Sequence, residues 1–186
     1  MSTATLPPTL APPEAADTLA ILIAPHLVLK QRTRPVTAAD AEQVRALLPL
    51  MFDLMYRAPG IGLAAPQIGV SLRFAVVDLM PDDKPEPMVL VNPEILAVSE
   101  ELATREEGCL SLPGMYADVA RPARVTVRYQ DQAGVRCQLE ADGLLAACLQ
   151  HEIDHLDGVL FVDHLSVLKR NMIMRRLAKE QRKGAK

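Results

Sequence analysis

The stretch Gln150-His-Glu-Ile-Asp-His155 constrains this chain more than any other. At about 100° per helical residue, His155 projects about 40° from His151 and Glu152 about 60° beyond that. Two imidazoles and a carboxylate therefore share one side of a helix. The preceding run, Gly143-Leu-Leu-Ala-Ala-Cys-Leu149, is almost wholly apolar, which predicts a helix buried nearly all round. Buried imidazole and carboxylate groups need partners, and a cation supplies one. The pattern is the His-Glu-x-x-His arrangement of hydrolytic metal sites, with the carboxylate as general base. Two surface histidines can show the same spacing, but the apolar setting argues against that reading.

Two imidazoles leave such a site incomplete, because a catalytic ion of this kind takes three protein ligands and keeps one position for water. The chain has three cysteines. Cys148 shares the helical face of His155 but lies about 10 Å along the axis from it, too far for a short side chain. Cys137 follows a turn in Gln132-Ala-Gly-Val-Arg-Cys-Gln-Leu-Glu140 and reads as a small strand residue. Cys109 remains, in Glu106-Glu-Gly-Cys-Leu-Ser-Leu-Pro-Gly114. The glycines and proline there predict an irregular ligand loop with backbone amides turned toward a reacting oxygen.

At 186 residues and 49% hydrophobic content, one well-cored domain is expected over 18–186. Residues 1–17, rich in proline and alanine, read as a flexible extension that resembles no secretory signal or transit peptide. No apolar run reaches the 18 or so residues of a membrane span. Three irregularly spaced cysteines fit a reducing compartment, and a cytoplasmic location is expected. The net charge of −3 conceals an asymmetry: Lys169–Lys186 holds eight basic residues against Glu180 alone, leaving −10 for the rest. This basic end, in a helix over 166–186, reads either as a solvated face or as a dock for an anionic partner such as RNA.

Taken in order, Leu19–Ile23 reads as a short strand or the start of the fold. Thr37 and Asp40 predict the cap of a helix to about Tyr56, with Val44, Leu47, Leu48, Met51, Phe52 and Met55 inward and a kink or break near Pro49. Gly60-Ile-Gly-Leu-Ala-Ala-Pro-Gln-Ile-Gly69 reads as a loop fixing Gln67, without the glycine spacing or lysine of a nucleotide loop. Strands are predicted at Arg73–Asp78 and Pro87–Asn92, and a hairpin at Arg124–Tyr129 and Val135–Leu139. Asp142 and Gly158 bracket the central helix, and a final helix from about Ser166 to Arg182 turns Leu168, Met172, Ile173 and Leu177 inward. The expected class is α+β: antiparallel or mixed sheets around a buried central helix, with an N-terminal and a C-terminal helix.

Gly60-Ile-Gly-Leu-Ala-Ala-Pro-Gln67, Glu107-Gly-Cys-Leu-Ser111 and Gln150-His-Glu-Ile-Asp-His155 together resemble the three signature motifs of the peptide deformylases. The resemblance extends over roughly 20–175, and the C-terminal helix makes it similar to the type common in Gram-negative bacteria. Three departures stand out: the proline-rich extension, Pro25-His-Leu27 where many members have Pro-Asp-Pro, and Pro49. The resemblance implies removal of formyl from the N-formylmethionine of new polypeptides. Cys109, His151 and His155 would hold a divalent ion, Glu152 would move the proton, and the Gln67 amide with the Leu110 N–H would stabilise the oxyanion. It implies Fe(II) in cells, while the donors also suit Zn, Co and Ni. Leu144, Ala147 and Cys148, one or two turns before His151, can wall a pocket for methionine, or be plain core. By resemblance, Ile61 and Gly62 form the opposite wall. The basic helix is a candidate contact for the ribosome and its RNA. Asp154 is free to accept from Arg121 or Arg128, or to orient a ligand imidazole.

Two other functions fit parts of the pattern. A His-Glu-x-x-His metallopeptidase would take a downstream ligand such as His164, although the glycine-turn pattern is missing. A non-catalytic metal-binding module that contacts RNA would close its ion with four protein ligands.

Overall fold

The computed structural model describes residues 19–184, so the expected extension over 1–17 lies outside the described residues. Seven strands run β1 (Gly62–Ala64), β2 (Phe74–Val77), β3 (Met88–Val98), β4 (Leu102–Cys109), β5 (Leu112–Pro122), β6 (Arg124–Gln130) and β7 (Arg136–Asp142). Three helices accompany them: α1 (Ala41–Arg57), α2 (Gly143–Leu156) and α3 (Val167–Gly184). The strands form a five-stranded sheet in the order β1-β2-β3-β6-β7 and a separate β4-β5 hairpin, with every ladder antiparallel. This is the expected α+β class.

The inner strand β2 explains the layering. Phe-Ala-Val-Val shows no polar alternation because helices cover both of its faces. Phe74 and Val76, with Val89 and Val91 of β3, pack with Val44, Leu48, Met51 and Met55 of α1. Val77, Leu90, Val125 and Val127 pack instead with Ala146, Leu149 and Ile153 of α2. A third cluster joins Leu112, Met115 and Val119 of β5 to Phe161 and to Leu177 of α3. The sheet thus presses α2 against the hairpin, and the site forms at that seam.

Several sequence expectations change. Thr37 and Asp40 do bracket a capping turn, the Thr37 N–H and Oγ both donating to Asp40 Oδ2 at 2.8 Å. α1 then runs unbroken through Pro49, where a kink or break was expected. Pro49 and Arg45 are both exposed, so the carbonyl deprived of its helical N–H faces water. Leu19–Ile23 forms no strand but an extended segment continuing to Ala24, with Leu22 N–H donating to the Gln67 carbonyl (2.7 Å) and Ala24 N–H to the Ser111 carbonyl (2.9 Å). Asp142 occupies the N-cap of α2, but its side chain makes no capping bond. The expected loop around Cys109 is instead the end of β4, joined to β5 by the two residues Leu110 and Ser111. On α3, Ile173, Met174 and Leu177 face the core; Leu168 (72% exposed) and Met172 (61% exposed) face outward, contrary to expectation. Met172 and Leu168 form a neighbouring stripe, about 100° and 140° round the helix from Ile173. Among the described residues no helix is long and apolar enough to cross a membrane.

Candidate active site

Cys109, His151 and His155 come together where the hairpin tip meets α2. The Cys109 Sγ and His155 Nε2 are 3.2 Å apart, the His155 and His151 Nε2 atoms 3.2 Å apart, and all three donors lie within 4.8 Å of one another. Ligands held about 2.1–2.3 Å from one tetrahedral ion lie roughly 3.4–3.7 Å from each other. The donor set fits a divalent metal in chemistry and spacing. Beside it the Glu152 carboxylate is buried, and its Oε2 has no hydrogen-bond partner. Two positions weighed from the sequence stay outside this cluster. Cys148 is seated against the Ile61 carbonyl (3.7 Å), and burial first, then the Glu152 and Glu107 charges, push its thiol well above the ordinary range. His164, the donor a peptidase would need, pairs with Asp154 at 2.7 Å.

A chain of charges supports the ligands from behind. Glu107 and Cys109 point to the same side of β4 because they are two residues apart. Glu107 Oε2 lies 3.0 Å from His151 Nδ1, which fixes the proton on Nδ1 and frees Nε2 as a donor to a metal. Glu107 also accepts two bonds from the buried Arg121, at 2.5 and 3.0 Å. Burial alone would raise the Glu107 ionisation, but the bonds from His151 and Arg121 outweigh it and bring it down to about 2. Arg121 Nη1 continues to Asp154 Oδ2 at 2.8 Å, which decides between the two arginines; Arg128 pairs with Glu94 on the surface. Asp154 orients neither ligand imidazole. Glu107 does so for His151, and sequence reasoning gave it no role although it lies inside a quoted motif.

The imidazoles differ in proton affinity. Burial lowers that of His155, and the nearby His151 and Arg121 charges lower it further. Burial also opposes a charged His151, yet the Cys109 and Glu107 hydrogen bonds reverse the balance and raise it. A proton on His151 and a metal cation are alternative ways of meeting the negative charge of those two partners. Glu152 is pushed up to about 7, chiefly by burial, with His151 and Arg121 opposing the shift.

Gln67 sits on a short turn, Ala65–Ile68, closed by Gly69 in the left-handed region (φ 81°). Its Oε1 accepts from the Ala64 N–H at 2.9 Å, which turns Nε2 toward Ser111 Oγ (3.1 Å) and Cys109 Sγ (3.7 Å). Ser111, fully buried, is a second residue that sequence reasoning left without a role. Leu110 follows Cys109 in the hairpin turn, and its side chain closes over Gly60, where a Cβ would come within 2.7 Å of Leu110 Cδ1.

In front of the donors opens a cleft of about 480 Å3. Ile61, Gly62, Leu144, Ala147 and Cys148, the five wall positions read from the sequence, all line it, with Gln67, Leu110, His151 and Glu152. Leu144 is 48% exposed, so α2 is not buried all round as expected; the exposed part opens into the cleft. Gly62 has no room for a side chain, because a Cβ there would stand 2.7 Å from Glu152 Cδ and closer still to Oε1.

Comparison with known proteins agrees with this geometry. Residues 18–171 match the family model described as Polypeptide deformylase. The peptide deformylase of Agrobacterium fabrum (strain C58) is 52% identical over 163 residues, covering 87% of this chain and 95% of its own. A crystal structure of a peptide deformylase from Legionella pneumophila superposes with a TM-score of 0.83 at 50% identity, covering 90% of this chain and 97% of its own. One from Synechococcus elongatus in complex with actinonin gives 0.80 at 43% identity, covering 86% of this chain and 87% of its own. With its three donors, buried glutamate and apolar cleft, the chain belongs to the peptide deformylase family.

Proposed function

We propose that this protein hydrolyses the formyl amide of N-formylmethionyl polypeptides, releasing formate and a free amino terminus. The observation that carries the reading is the buried Glu152 carboxylate, with one oxygen unpartnered, set against three converging donors at the head of an apolar cleft. Cys109 as thiolate, with neutral His151 and His155, would hold a divalent ion. A divalent metal there supplies Lewis acidity, bringing the ionisation of water from about 15.7 toward ~7. Glu152 takes a proton from the attacking water and delivers it to the departing nitrogen, so the carbon–nitrogen bond breaks toward a neutral amine. As the formyl carbon becomes tetrahedral, the Gln67 Nε2–H and the Leu110 N–H donate to its oxygen; one such donor is worth about 3 kcal/mol. The Ala64 N–H fixes Gln67 for this task in advance. Leu144, Ala147 and Cys148 on one wall, and Ile61 and Gly62 on the other, take the methionine side chain.

In cells the metal is Fe(II), with Zn(II), Ni(II) or Co(II) as substitutes, and the protein works in the cytoplasm as one catalytic domain over 18–186. The basic face of α3 docks on ribosomal RNA, near the source of the substrate; cosedimentation with ribosomes that survives deletion of 169–186 would refute this. The catalytic reading is tested by formate release from a formyl-Met peptide under anaerobic conditions with Fe(II) or Ni(II). Glu152→Gln retains a full complement of metal and loses about 10²- to 10⁴-fold in turnover. No turnover by the metal-loaded wild type overturns the assignment.

A further inference from the structure

The hairpin carries a second surface leading away from the metal centre. Its ladder pairs Gly108 with Tyr116 and then Glu106 with Asp118, moving outward from the tip at Cys109. These four residues share one face, because Met115 and Val119, at the alternate positions of β5, are buried in the core. The Tyr116 ring lies directly on Gly108, where a Cβ would meet it at 2.5 Å, and remains 63% exposed. Tyr116 and Glu106 line the catalytic cleft, and both also line a second groove of about 330 Å3 between the hairpin and α3. Ala117, Asp118, Lys169, Met172 and Ile173 complete its walls. The two hollows therefore meet across one aromatic ring.

We propose that this groove is the continuation of the substrate track and receives the polypeptide beyond its third residue, favouring basic side chains there. The proposal rests on the deformylase reading and extends it. An extended chain advances about 3.3 Å per residue, so about three residues separate the hairpin tip from the Glu106–Asp118 pair. Met172 offers an apolar surface that the core of α3 does not use. Glu106 and Asp118 form no ion pair among the described residues, and against Lys169 alone they leave the groove net negative. That charge suits lysine or arginine on the incoming chain and repels RNA, which separates this side of α3 from its basic face.

The test compares formyl-Met tripeptides with heptapeptides that carry lysine or glutamate at positions four and five, on the metal-loaded, full-length protein. The lysine heptapeptide exceeds the tripeptide in kcat/KM by about 3- to 10-fold, through KM, the size expected of a partly buried apolar contact and a screened charge pair. The glutamate heptapeptide falls below the lysine one, and the gap narrows at high salt. Met172→Ala and Asp118→Asn leave tripeptide turnover unchanged; the first shrinks the length advantage and the second the lysine preference. Equal kcat/KM for all lengths with normal tripeptide turnover overturns the track alone, as does an advantage that survives both substitutions. Failure on the tripeptide as well overturns the deformylase reading and the track with it.

Discussion

A single methyl group at position 62 probes the catalytic geometry directly. In Gly62→Ala the new Cβ would sit 2.7 Å from Glu152 Cδ and closer still to Oε1, whereas ordinary contact begins near 3.4 Å, so the carboxylate must swing away by about 1 Å. Glu152 is 3% exposed and on a helix packed against the sheet, so the retreat displaces its oxygens relative to the three donor atoms. A misplacement of about 1 Å in a catalytic group costs on the order of 100-fold, and overpacking of this kind costs about 1–3 kcal/mol of stability. Gly62→Ala should lose roughly 30- to 100-fold in kcat/KM while binding one metal ion per chain, since Cys109, His151 and His155 are not touched. Formate release, metal analysis and thermal unfolding of the same preparation separate the three effects. Wild-type kcat/KM would refute the reasoning, because it would mean that Glu152 tolerates displacement. Loss of metal in step with activity would place the damage at the ligands instead.

Other substitutions test the supporting structure. Glu107→Gln leaves Arg121 short of a buried carboxylate and should cost about 3–5 kcal/mol at neutral pH, with weaker metal retention in dialysis against a chelator. Its folded-state ionisation, lowered from 4.5 to about 2, gives stability that is present above pH 4.5 and lost as pH falls toward 2. Acid unfolding of the variant should therefore be flatter across that window than that of the wild type, and parallel curves would contradict the assignment. Cys109→Ala should abolish stoichiometric metal binding while Cys148→Ala retains it; metal analysis that gives the reverse order would exchange their roles. Pro49→Ala restores the missing bond to the exposed Arg45 carbonyl and should raise the thermal midpoint, by up to about 3 kcal/mol of stability, and a lowered midpoint would show that α1 depends on the proline.

The residues that converge at the candidate site were legible in the sequence because they break a pattern: His151, Glu152 and His155 interrupt an apolar helix at helical spacing. Cys109 was legible too, but its setting was not. Strand β4 escaped notice because its inward side toward the tip carries Glu107 and Cys109, whose partners Arg121, His151 and His155 lie on other elements, whereas β5 does alternate, with Met115 and Val119 inward and Tyr116 and Asp118 outward, and that signal went unused. Alternation of apolar and polar residues fails where the inward side is itself polar. For the same reason Glu107 and Ser111 received no role, since their partners lie on other elements. Pro49 misled because a propensity rule ignores which way the freed carbonyl faces. Leu168 and Met172 misled because helical spacing marks an apolar stripe without saying whether anything covers it.

The hairpin and the five-stranded sheet share no ladder, yet the three donors straddle them, one on the hairpin and two on the helix backed by the sheet. An ion gripped by all three would act as a rivet between two plates. The same coordination that would prepare the chemistry would then limit how far the plates can part, so the width of the slot that admits a formylated end would be set by the grip of its own catalyst.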